Sequence, residues 1–231
     1  MRFNELSTIY YHDQLNPELW ENNQLKTEVR YKLMLIAKHF ASFLKVPDLN
    51  LRDITISGSN AAYGYSPSSD LDLHLVVDMP KDKPELAELY DAKKNQYNFT
   101  YNITVKKIDV ELYVQDVQQP HHSAGIYSIL NNKWLSKPKH QVPQTTDREV
   151  RNKARNYSSK INYALRSDDL NTVKETMAEI RRLRAAGLEQ GGEYSVENLA
   201  FKLLRARGRI DKLRKHIDQL QSAELSLKER T

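Results

Sequence analysis

The sequence predicts an α+β protein, with mixed strands and helices first and an all-α part after them. Three observations lead there. Two segments, Asp70–Val77 and Ile108–Val114, alternate polar and apolar residues with period two, as half-buried strands do. Around them, apolar residues recur at helical spacing. Beyond a polar linker rich in Pro and Gln, Lys137 to Asp147, only helical spacing remains. The division is expected within that linker, giving domains of residues 1–142 and 143–231.

The elements follow in chain order. Gln24 to Leu44 carries Leu25, Val29, Leu33, Ile36, Ala37, Phe40 and Leu44 on one helical face, and Pro47 ends it. Ile54-Thr55-Ile56 is β-branched and meets Gly58, a strand entering a tight turn. Ser57 to Ser69 is dense in Gly, Ser, Asn and Pro and reads as a connection. A helix over Pro84–Gln96 would place Pro84 in its first turn. Downstream, Val150, Ala154, Tyr157, Ile161 and Leu165 define a helix over Arg148–Arg166. The next begins near Asp168 and is expected to stop at Gly187, a glycine suited to the residue after a helix. From about Ser195, Leu199, Leu203, Ala206, Ile210, Leu213, Ile217 and Leu220 form a heptad seam on one long helix. That seam serves either antiparallel packing on the preceding helices or a homodimer.

Composition removes several function classes. Of 231 residues, 39% are apolar and 28% charged, with 7 Gly and 8 Pro, which excludes collagen-like and disordered chains. Mean hydropathy is −0.70, and no apolar run is long enough to span a bilayer, so no membrane partner is expected. The start, Met1-Arg2-Phe3-Asn4-Glu5, leads into no signal core, so a cytoplasmic location is expected. The absence of Cys excludes disulfides, thiolate zinc sites and cysteine nucleophiles together. Net charge is +5, but it is unevenly spread. Phe201 to Lys215 holds seven basic residues against one acidic, whereas the first two-thirds is nearly balanced.

Two short motifs carry the chemistry. In Ile56-Ser57-Gly58-Ser59-Asn60, a glycine after a buried strand lets backbone amides approach an anion, and the Ser59 hydroxyl can add a bond to a phosphate oxygen. In Ser69-Asp70-Leu71-Asp72-Leu73, the two aspartates stand two residues apart on a strand and leave the same face. Their carboxylates can share a cation; the alternative is a solvated edge strand. Asp109, on the second alternating strand, supplies a third carboxylate. Three carboxylates with substrate phosphates would satisfy the octahedral oxygen demand of Mg²⁺ in a two-metal phosphoryl-transfer site.

Gly58-Ser59, Ser69-Asp70-Leu71-Asp72-Leu73 and Lys107-Ile108-Asp109-Val110-Glu111-Leu112, in that order, resemble the DNA polymerase β-type nucleotidyltransferase superfamily. Gly125-Ile126-Tyr127-Ser128 and Asn132-Lys133-Trp134-Leu135 are similar to uncharacterised members carried by bacteriophages. The resemblance spans roughly residues 50 to 140. It implies a small mixed sheet flanked by helices, with the nucleotide lying across it. It implies that Asp70 and Asp72 hold two Mg²⁺ ions, replaceable by Mn²⁺. Asp109 would hold the catalytic ion and help deprotonate the attacking hydroxyl, while Gly58, Ser59 and Ser69 bind NTP phosphates, with ATP favoured. Glu111 shares the face of Asp109 and is the alternative third ligand. His74, one step further along the Asp70/Asp72 face, either touches substrate or packs within the protein. Tyr127 and Trp134 either stack on a base or belong to the core. His121-His122 lacks partners at metal-ligand spacing and reads as loop.

The basic helices bear on the acceptor. Arg148, Arg151, Lys153 and Arg155 crowd one helix. Arg181 and Arg182 lie on the next, and Arg205, Arg207 and Arg209 on the last. Singly, each reads as a solvated side chain; together they suit a phosphate backbone, so an RNA 3′ end is the expected acceptor. Adenylylation of a protein or small molecule, synthesis of a nucleotide messenger, and an idle nucleic-acid-binding module are the alternatives.

Overall fold

Alternation along the chain decides which residues face which layer. In the computed structural model, residues 10–46, 49–80, 85–119, 123–140 and 142–226 are described. They form two compact units dividing between residues 142 and 143. The protein is a mixed α+β structure, with six α-helices and a six-stranded sheet among the described residues.

The sheet unit opens with a hairpin, β1 (Trp20–Glu21) and β2 (Gln24–Leu25), turned by Asn22 and Asn23 at φ 50° and 61°. Asparagine tolerates that left-handed backbone, which two-residue hairpins demand. The hairpin takes Gln24 and Leu25, so helix α1 (Thr27–Leu44) begins three residues later than the spacing suggested. Pro47 and Pro84 lie outside the described residues.

Strands β3 (Leu51–Ser57) and β4 (Leu71–Val77) pair antiparallel, with a 3₁₀ turn at Ser59–Ala61 between them. Helix α2 (Glu85–Thr100) carries the chain to β5 (Thr104–Val105) and β6 (Ile108–Asp116). Strands β4 and β6 are parallel, which requires such a crossover. Strands β7 (Ile126–Ser128) and β8 (Lys133–Ser136) complete the sheet in the order β5-β6-β4-β3-β7-β8.

Leu71, Leu73, Leu75 and Val77 are all fully buried in the core that includes Leu33 and Phe40 of α1. Asp72, His74 and Val76 on the opposite face are half-buried. Burying a leucine side chain contributes about 1.5–3 kcal/mol, so this one-residue alternation fixes the face on which the aspartates emerge. Asn98 of α2 closes the free edge of β6. Its amide donates to the Leu112 carbonyl at 3.0 Å, and its carbonyl accepts from the Leu112 N–H at 3.0 Å.

The helical unit contains α3 (Asp147–Ala164), α4 (Leu170–Gly191), α5 (Val196–Ala206) and α6 (Arg209–Leu225). Thr146 and Glu149 form a reciprocal capping box at the start of α3. Two expectations fail here. Helix α4 does not stop at Gly187 but continues to Gly191. Gly187 is a packing residue instead, since a Cβ there would lie 2.7 Å from the Glu197 Cβ and 3.0 Å from the Ser195 Oγ. The long last helix is broken into α5 and α6 at Gly208, whose φ of 65° is left-handed. The heptad seam is therefore interrupted: Leu199, Ile210 and Leu213 are buried in this unit's own core, while Ala206 is exposed.

Candidate metal centre on the polar face of the sheet

Strand register builds the site. Ser57 of β3 lies opposite Asp72 of β4, and Asp72 lies opposite Glu111 of β6. One step along, Thr55, His74 and Tyr113 form the next row. Partners in register project from the same face, so two polar rows cross three strands.

Oxygens of Asp70, Asp72 and Glu111 lie within 4.8 Å of one another. At 4.8 Å, two unit negative charges repel by about 3.5 kcal/mol at an effective dielectric of 20. A divalent cation would turn that repulsion into attraction, and an all-carboxylate set suits a hard ion such as Mg²⁺ or Mn²⁺.

The third carboxylate differs from the one expected. Asp109 is exposed and sits opposite Thr104 of β5, outside the trio. The β4–β6 ladder begins at Leu71–Val110, and its next rung brings Glu111 to Asp72. Both acids share a face of β6, so only the register of β6 against β4 separates them.

Gly58 adjoins this trio for a steric reason. Its φ is 76°, and a Cβ there would lie 2.0 Å from the Asp72 Oδ2. The glycine therefore lets the β3 turn close directly onto the Asp72 carboxylate. The connection that follows opens with a three-residue 3₁₀ turn, Ser59–Ala61. The Gly58 N–H donates to the Ser123 Oγ at 2.9 Å, and the Ser59 hydroxyl donates to the Ser69 Oγ at 2.9 Å. The groups expected to take phosphate thus bond to one another and to Ser123.

Asn60 aims Asp70, a role that sequence reading did not assign. Its buried amide donates to the carbonyls of Ser69 and Asp70 at 3.2 and 2.8 Å. Asn16 donates to the Asn60 Oδ1 at 2.9 Å, and the Trp20 indole donates to the Asn60 carbonyl at 2.8 Å. Ser69 is fixed in turn by the Ser66 N–H at 2.9 Å. The only sequence signal was the position of Asn60 in the Gly58-Ser59-Asn60 turn, and its long-range partners are invisible there.

The second row is aromatic. The His74 ring stacks on Tyr113, 5.0 Å between centroids, and its Nε2 lies 3.0 Å from the Ser57 Oγ. Tyr113 stands two residues beyond Glu111 on the same face of β6. Burial first, then the neighbouring carboxylates of Asp72, Glu111 and Asp70, push the Tyr113 phenol well above its usual range. It is therefore a neutral donor at any physiological pH.

Tyr127 does not stack on a nucleotide in this arrangement. It is fully buried, meets Trp20 and Trp134 edge to face at 5.1 Å each, and donates to the Asn132 Oδ1 at 3.0 Å. Trp134 stacks on Trp20 at 4.7 Å. His121 and His122 lie outside the described residues. Arg181, Arg182, Arg205 and Arg207 are exposed on the helical unit, and Arg209 is half-buried and donates to the Asn162 Oδ1.

No protein-family model matches the sequence, and no curated protein matches it. Among solved structures, the STING-associated CdnE c-di-GMP synthase from Capnocytophaga granulosa is similar over 87% of this chain and 84% of that one, at 12% identity and a TM-score of 0.26. So loose a superposition says nothing about the chemistry of this chain. Among the described residues, no helix is long and apolar enough to cross a membrane.

Proposed function

We propose that the protein is a nucleotidyltransferase that moves a nucleoside monophosphate from an NTP, with ATP favoured, to an RNA 3′ hydroxyl. The convergence of Asp70, Asp72 and Glu111 within 4.8 Å, beside a glycine turn, carries this reading. Those three side chains would hold Mg²⁺, which when bound neutralises charge on the transferring phosphoryl group. Ser59 and Ser69 exchange their mutual hydrogen bond for bonds to NTP phosphates. The acceptor oxygen bonds to the α-phosphorus, pyrophosphate leaves, and Glu111 takes the hydroxyl proton. Arg181, Arg182, Arg205, Arg207 and Arg209 supply a positive surface for the acceptor's phosphates, sequence-independent and weakened by salt.

Four α-labelled NTPs offered with total RNA, with total protein and with no acceptor test this reading. Mg²⁺-dependent label in RNA is expected. Label in protein, or in a small product formed without acceptor, overturns the RNA assignment but keeps the site. Asp72→Asn removes ligand charge and should lower transfer by at least about 10³-fold, several kcal/mol of barrier, with the fold intact. Undiminished activity in that variant overturns the site.

A further inference from the structure

The three acids of the metal centre are not held alike. Asp72 and Glu111 sit within the sheet, opposite one another across β4 and β6. Asp70 does not. The β3–β4 ladder ends at Ser57–Asp72 and the β4–β6 ladder at Leu71–Val110, so Asp70 lies one residue beyond the last rung. Past that rung no strand pairing fixes the backbone, and a Cα that drifts carries its carboxylate with it.

A side chain takes the place of the missing strand. Asn60 is 1% exposed, and its amide donates to the Asp70 carbonyl at 2.8 Å and to the Ser69 carbonyl at 3.2 Å. An asparagine amide has two N–H donors, which matches two consecutive carbonyls. The amide plane is itself set by a segment outside both motifs. Asn16 donates to the Asn60 Oδ1 at 2.9 Å, and the Trp20 indole donates to the Asn60 carbonyl at 2.8 Å. Asn16 and Trp20 belong to one turn, in which the Trp20 N–H donates to the Asn16 carbonyl at 2.9 Å. The Asn16 Oδ1 accepts from the Glu18 N–H at 3.1 Å, so the Asn16 amide is held at both ends. Restraint thus runs from the turn leading into β1, through Asn60, to the backbone of Asp70.

We infer that Asn60 is a positioning residue for the metal centre, extending the sheet by one side-chain rung to place Asp70, and that Asn16 braces it. The role rests on the proposed metal centre. It draws into the site a turn that neither sequence motif includes. Outer-shell partners of this kind govern metal affinity, because a ligand that must be ordered on binding holds its ion less tightly.

The test is Mn²⁺ binding to the full chain without nucleotide, followed by calorimetry or by the loss of the free-ion resonance signal, with the melting temperature read beside it. Asn60→Ala removes the rung and should weaken Mn²⁺ binding by about tenfold. Asn16→Ala leaves the Asn60 amide in place but unbraced. It should weaken binding by about threefold, the worth of one hydrogen bond, and it carries the test alone if Asn60→Ala does not fold. Val29→Ala, a cut elsewhere in the buried core of the same unit, should lower the melting temperature and leave Mn²⁺ affinity unchanged. In an Asp70→Ala background, Asn60→Ala should have no further effect on Mn²⁺, because no ligand remains for it to place. Wild-type affinity in the asparagine variants that fold overturns the positioning role and leaves the metal centre standing. Losses that add in the double variant, or an equal loss in Val29→Ala, also overturn it, since they mark a general loosening. A wild-type chain that binds no Mn²⁺ overturns the metal centre, and the inference with it.

Discussion

In the sheet unit, three carboxylates are held within 4.8 Å of one another. In the helical unit, charges sit on opposite partners: Lys153 on Glu197 at 2.9 Å, Lys202 on Glu193 at 3.1 Å, and Lys160 on Glu179. The difference lies in what the backbone permits. Hydrogen-bonded strands fix Cβ positions row by row, so the Cβ atoms of Asp72 and Glu111 stay neighbours as long as the ladder holds. On helices, long side chains on neighbouring surfaces rotate until each meets an opposite charge, and each such pair contributes at most about 1 kcal/mol. Like charges that register sets side by side repel unless a cation could be held between them, whereas opposite charges that meet by rotation give ordinary surface stabilisation.

The comparison breaks most directly at the two acids of β6. Glu111→Gln should reduce NTP transfer by about 10²-fold or more, whereas Asp109→Asn should stay within about twofold of wild type. Steady-state kinetics on both variants decides which acid serves. Equal losses would place Asp109 in the site despite its exposed position opposite Thr104.

Two glycines sharpen it further. Gly58→Ala puts a Cβ 2.0 Å from the Asp72 Oδ2 at a φ of 76°. It should lose most Mn²⁺ affinity and shed about 1–3 kcal/mol of stability through backbone strain. Gly187→Ala concerns packing alone. Alanine favours a helix interior by about 1 kcal/mol, but overpacking costs about 1–3 kcal/mol. A Cβ 2.7 Å from the Glu197 Cβ meets an atom close to the backbone, so overpacking should win. A melting temperature a few degrees lower with unchanged Mn²⁺ affinity is expected; a higher one would show that α5 yields.

The smallest effect is on acid stability. Both tryptophans, Trp20 and Trp134, lie in the sheet unit, so fluorescence follows that unit while far-ultraviolet dichroism is dominated by helix. In the helical unit, the hydrogen bond from Lys153 holds the Glu197 carboxyl below its ordinary 4.5. Thr146 does the same for Glu149, and Thr172 holds Asp169 below its ordinary 3.8. Carboxyls lowered by folding stabilise fully above their ordinary values, and that contribution is lost as pH falls through the lower folded ones. Below about pH 4 the dichroism melt should therefore shift down, and Lys153→Met should flatten the part due to Glu197. A melt independent of pH between 6 and 3 would show that these contacts contribute nothing.

Much of this was legible in the residues. Period-two alternation located β4 and β6, and helical spacing located α1, α3 and α4, because burial of one face leaves a repeating trace in the chain. The pairing of Asp70 with Asp72 was equally plain, since strand geometry puts residues i and i+2 together. Asn60 left no such trace. Its partners are Asn16 and Trp20, and only folding brings them to it.

By itself, then, the sequence determined β3, β4, β6 and helices α1, α3 and α4, the faces of the alternating strands and the pair of aspartates, all of which follow from spacing along one segment. Tertiary structure alone decided that Glu111 and not Asp109 joins them, that Tyr127 is core, and that Gly187 packs a helix which Gly208 later breaks. Each of those outcomes depends on the register or approach of a second segment, and a period of two or 3.6 carries no information about the segment across the gap.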